Sequence, residues 1–115
     1  MPILSLVRSR WNRARLSALV DRVAARVKNP VWQRVRDRVS GMGIHEARGY
    51  IRARSATILD REIGILNAEE PTLAGSQLEL VRQAVQQRVI RRLLFDNLRN
   101  DQDARVRPAD RRRAA

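Results

Sequence analysis

The sequence predicts an all-α fold: a small bundle of about four helices centred on an antiparallel helical hairpin, followed by a disordered basic C-terminal tail. Apolar residues recur at helical spacing through residues 1–100, no stretch alternates as a half-buried strand would, and the interruptions fall where glycine and proline gather. The apolar material is Val, Leu, Ile and Ala, with Trp11, Trp32, Tyr50 and Phe95 as the only aromatics. Such a core suits helix packing, and 115 residues are one domain's worth.

On a helical wheel, Leu4, Val7, Trp11, Ala14 and Ala18 share one stripe, while Leu16, Leu19, Val20, Val23 and Val27 share another, roughly opposite. A single straight helix would then face two surfaces. The reading preferred here is a break near Asn12, with a short first helix ahead of one over about 13–28, so that 1–28 forms a basic amphipathic segment. Asn29-Pro30 marks the next boundary, because Asn caps helices and Pro at the first helical position loses no needed N–H. Val31, Trp32, Val35, Val39 and Met42 line the helix expected there, with Arg34, Arg36 and Arg38 outside the stripe, and Gly41 and Gly43 offer positive-φ positions to end it.

The helix over about 44–67 shows Ile44, Ile51, Ile58 and Ile65 at every seventh position, with Ala47, Leu59 and Leu66 beside them. This heptad is the expected core face. Arg54, Ser55 and Glu62 fall within it and Arg61 borders it, so the two arginines are expected to reach out to the edge of the seam or to pair an acid at a helix interface. Gly49 and Gly64 each cost about 1 kcal/mol relative to Ala in a helix interior, which the close approach of another helix or of a partner would offset; Gly64 equally fits a fraying C-terminal turn. Residues 67–75 read as a connection, and Ser76 with Glu79 as a capping box opening a helix over about 76–100. That helix carries Leu78, Val81, Val85 and Val89 on one side, and Ile90, Leu94 and Leu98 with Phe95 on another, a wide apolar arc that calls for several neighbours. Residues 29–100 are therefore the expected bundle core and 101–115 the tail.

Catalysis finds little to work with. There is no cysteine, and His45-Glu46 begins a zinc-hydrolase pattern whose second imidazole position is Gly49. Gly41-x-Gly43 lacks the third glycine and the preceding strand of a dinucleotide loop. The carboxylate pairs Asp60/Glu62 and Glu69/Glu70 lie near a helix end or in a connection, and no serine stands in a nucleophile-elbow context. The expectation is a protein that is not an enzyme, with no metal site and no cofactor. No apolar run reaches the roughly 18–20 residues of a membrane span, and the apolar start is short for a secretory signal, so a cytoplasmic location is expected. Arginine supplies 23 of the 24 basic residues, a usage that hints at a GC-rich bacterial gene; the four arginines among the first twenty residues, with no acid, also fit a transit peptide.

Charge is the strongest signal. The net charge is +12, and residues 1–43 hold ten basic against two acidic side chains. Arginine grips phosphate with a planar fork, and a strongly basic domain has the electrostatic footprint of a nucleic-acid binder. The candidate anion-binding residues are accordingly Arg8, Arg10, Arg13, Arg15, Arg34, Arg36 and Arg38, with Trp11, Trp32, Arg54 and Arg61 as candidate interface residues. No zinc finger, RNA-binding sheet signature or zipper accompanies them, so the expected contact is non-specific and made to phosphates. Two alternatives stand beside nucleic acid. The chain can be a structural or adaptor subunit of a larger assembly, meeting an acidic protein or further copies of itself, or it can lie on an anionic membrane with Leu4, Val7 and Trp11 inserted.

Overall fold

The computed structural model describes the backbone of residues 2–114 and the side chains of residues 13–99. Three helices, α1 (Pro2–Val39), α2 (Ile44–Glu69) and α3 (Gly75–Ala114), each pack against the other two. The fold is all-helical, with three helices in place of four.

The difference lies in α1, which runs unbroken through Asn12 and through Pro30. An interior proline removes one hydrogen bond and costs about 3 kcal/mol. Beyond it, Val31, Val35 and Val39 are wholly buried, and each buried valine contributes about 1.5 kcal/mol or more. Together they outweigh the proline, and they stay in phase with Val23 and Val27 only if the helix continues. Arg26 and Pro30 are both exposed, which leaves the carbonyl that lost its donor on the watered side. Of the two stripes read at the start of α1, Leu19, Val20 and Val23 are buried, whereas Ala14 and Ala18 face solvent.

The heptad reading of α2 is also corrected. Its buried residues are Ala47, Ile51, Ser55, Leu59 and Leu66, with Ile58 and Ile63 partly covered, while Ile44 and Ile65 stay 49% and 39% exposed. The same spacing of four recurs in α1 (Leu19, Val23, Val27, Val31, Val35, Val39) and in α3 (Val81, Val85, Val89, Leu93, Asn97). Rows of this spacing are the ridges that pack into the grooves of neighbouring helices. Each step of four turns about 40° around the helix, so the row remains buried only because two neighbours flank it. Ser55 fits this seam with its hydroxyl donated to the Arg52 carbonyl at 3.0 Å.

The helix ends follow local rules with two shifts from the sequence reading. After Val39 the chain turns through Gly41 N–H to Arg38 O and Met42 N–H to Val39 O, and no glycine takes positive φ among the described residues. Gly43 is extended at φ −68° and ψ 166°, open to other residues. At the start of α3, Gln77 rather than Glu79 reaches back, accepting the Ala74 N–H at 2.9 Å, so the cap lies two residues before Ser76. Leu73 and Leu78 flank this turn and both belong to the core, an arrangement that fixes the entry angle of the helix. Between the helices, Glu70 precedes Pro71, which disfavours helical backbone at Glu70 and ends α2.

Where the sequence reading places a disordered tail, the backbone of α3 continues as helix to Ala114. The side chains from residue 100 onward lie outside the described residues.

Candidate docking groove

Ion pairs cross every seam of the bundle. Between α1 and α2 they are Arg15–Glu70 at 2.5 Å, Arg22–Glu69 at 3.3 Å, and Arg26 to both Glu62 and Glu69 at 3.9 Å. Arg88–Asp21 and Lys28–Asp96 join α1 to α3, and Arg82–Asp60 joins α2 to α3 at 3.0 Å. The sequence numbers rise together across α1 and α3 and oppose each other across α1 and α2, so α1 and α3 are parallel and α2 is antiparallel to both. Exposed pairs of this kind contribute about 1 kcal/mol or less each. Their larger effect is to fix register and to neutralise much of the charge of α1. Glu62 Oε2 is buried without a hydrogen-bond partner and has only the long contact to Arg26.

This pattern sorts the anion-binding candidates. Arg15 is tied to Glu70 and also meets Thr72 at 3.4 Å, so it fastens the start of α1 to the α2–α3 connection. Arg36 lies 3.8 Å from its neighbour Asp37, whereas Arg13, Arg34 and Arg38 are exposed and make no ion pair among the described residues. Arg34 and Arg38 stand one turn apart on one face; Arg36 points elsewhere by helical geometry. Arg8, Arg10 and Trp11 lie outside the described side chains. Trp32 is half-buried against the core, Arg54 stacks over the Tyr50 ring at 5.4 Å from its centroid, and Arg61 is exposed. Among the five with described side chains, Arg15 is engaged within the bundle and Arg36 points away from Arg34 and Arg38, so these five do not form one site.

A different surface combines charge with apolar area. Five large apolar side chains remain exposed among the described residues, and three of them, Ile44, Phe95 and Leu98, line a single groove between α2 and α3. Ile90 and Leu94 complete its apolar floor, and the groove encloses about 550 Å³. Arg48 and Arg52 of α2 and Arg91 of α3 form the rim, no carboxylate lines it, and none of the three makes an ion pair among the described residues. The contrast is with the crevice between α1 and α3, about 280 Å³, whose Asp21, Lys28 and Arg88 pair with groups of the bundle itself.

The register set by Arg82–Asp60, carried along antiparallel helices, brings Ile44 opposite Leu98 and Arg52 opposite Ile90. Sequence reasoning names Phe95, Leu94 and Leu98 as part of a wide apolar arc and links such arcs to burial against acidic protein partners in an assembly, but does not locate a groove. The signal present was the hairpin itself, because pairing its two helices end to end places residues 44–52 against 90–98.

His45 and Glu46 are exposed in the first turn of α2, and no group of acids and histidines that could hold a metal occurs among the described residues. Among those residues no helix is long and apolar enough to cross a membrane. Comparison with protein families, with curated proteins and with solved structures finds no match.

Proposed function

We propose that this protein is a non-catalytic helical binding module for an anionic macromolecule. The observation that supports it is the division of charge: six of the nine acids with described side chains pair across the seams, while arginines on α1, α2 and α3 stay exposed without a carboxylate among the described residues, in a chain of net charge +12. Unpaired guanidinium groups in water are ready to exchange loosely held counterions for fixed phosphates or carboxylates.

For nucleic acid, the log of affinity falls linearly with the log of salt concentration, with a slope near −0.9 for each phosphate neutralised on duplex DNA. Replacing Arg34, Arg36 and Arg38 together by Gln reduces that slope, whereas Arg15→Gln, whose guanidinium already serves Glu70, leaves it nearly unchanged. Fluorescence anisotropy with a labelled duplex over a salt series reads both. A slope untouched by the triple variant refutes the phosphate contact by these residues.

The second reading, an adaptor or structural subunit of a protein assembly, is favoured by the groove. Phosphate contacts call for charge and hydrogen-bond donors, and an apolar floor bearing Ile44, Phe95 and Leu98 gains nothing from them. A polypeptide that presents both apolar and acidic side chains uses the whole surface.

A further inference from the structure

We propose that the α2–α3 groove is the docking site for an acidic amphipathic helix of a protein partner. This deepens the assembly reading above and rests on it, without depending on the nucleic-acid reading.

The groove has the form that receives a helix: two helices supply its walls, and its apolar floor runs along their axes. On α3 the groove residues Ile90, Leu94 and Leu98 follow one another at a one-turn spacing of four, with Phe95 beside Leu94, a row that a partner helix meets with its own i, i+3, i+4 and i+7 positions. Phe95 is the natural anchor, 58% exposed in the free protein and aromatic, a side chain that buries a large apolar area when an interface covers it.

Charge selects the occupant. Arg48 and Arg52 stand one turn apart on one wall and Arg91 on the other, so an entering helix meets cations on both flanks and no carboxylate. Acids flanking the partner's apolar stripe would pair with them as the groove closes. A second copy of this chain fits poorly, because groove against groove would oppose arginine to arginine. The chain's own residues 101–115 carry five basic and three acidic side chains, the wrong balance for this rim. The same arginines serve a different end from those at the seams: Arg82 and Arg88 fasten helices within the bundle, and Arg48, Arg52 and Arg91 are left for a partner.

The probe is a fluorescein-labelled synthetic peptide of about 18 residues, with leucines at helical i, i+3, i+4 and i+7 spacing and glutamates on the flanks. Two controls accompany it, one with every Glu replaced by Lys and one with every Leu replaced by Gln. The full chain is expected to bind the acidic amphipathic peptide at least tenfold more tightly than either control. Phe95→Ala, and separately the combination Arg48→Gln, Arg52→Gln and Arg91→Gln, each weaken it at least tenfold with unchanged thermal melting, while Arg61→Gln, away from the groove, has no such effect. Equal binding of the leucine-free control, or full binding by the Phe95→Ala chain, overturns the proposal. So does a labelled duplex DNA or an anionic phospholipid vesicle that binds the groove through the same residues and excludes the peptide, or a dimer in sedimentation that Phe95→Ala dissociates. If the peptide fails while the duplex still binds with its salt dependence, the groove assignment falls and the binding of an anionic macromolecule stands; if both fail, both fall.

Discussion

Four of the isoleucines of α2, Ile44, Ile51, Ile58 and Ile65, are equivalent by heptad position and unequal in the bundle, which makes them a graded test of the packing. Truncating Ile51 to Ala removes three carbons from a wholly buried site. At about 0.8 kcal/mol per carbon the transfer loss is about 2.4 kcal/mol, and a cavity left among rigid neighbours raises it to about 3–4 kcal/mol. At Ile65 and Ile44, 39% and 49% exposed, roughly half the transfer loss applies and water fills the space, so no cavity contribution follows. The better helix propensity of Ala returns a few tenths of a kcal/mol, leaving a net cost below about 1 kcal/mol. Ile58, partly covered, falls between. Urea unfolding followed by circular dichroism at the helix band measures all four, with unchanged m-values as the sign that the native fold persists. If Ile65→Ala or Ile44→Ala proves as costly as Ile51→Ala, the seam follows the heptad and the packing described here is wrong.

Other perturbations probe the backbone. A Cβ added at Gly49 or Gly64 meets no atom within 4 Å, so each Gly→Ala change should stabilise the isolated chain by about 1 kcal/mol, read as a higher melting temperature; a decrease at either position would refute the open placement of that glycine. Pro30→Ala restores an N–H donor to an exposed stretch of α1 and should stabilise by about 1–3 kcal/mol. Destabilisation there would show that the proline, and not the valine row, sets the path of α1.

The sequence by itself determined the class of fold, the two turns and the sign of the charge. Helical periodicity, Gly41 to Gly43 and Pro71 act over a few residues, and local preferences of that kind are written in the residues that hold them. The hairpin of α2 and α3 was legible for the same reason, since a short connection makes its helices neighbours. The tertiary structure decided what depends on partners distant along the chain. Asn29-Pro30 is locally a helix start, and only the burial of Val31, Val35 and Val39 against two other helices makes it the middle of α1. Spacings of seven and of four were both present in α2, and the neighbours selected the row through Ala47, Ile51, Ser55 and Leu59. Arg15 and Arg34 look alike in sequence, yet only Arg15 has a glutamate from the far end of α2 beside it. The groove joins residues 44–52 to 90–98 in the same way: local pattern made each wall apolar and basic, and the pairing of the walls placed Phe95 beside Arg48, Arg52 and Arg91. Side chains acquire such roles from what lies across the seam, and that is fixed by packing, which no short stretch of chain encodes alone.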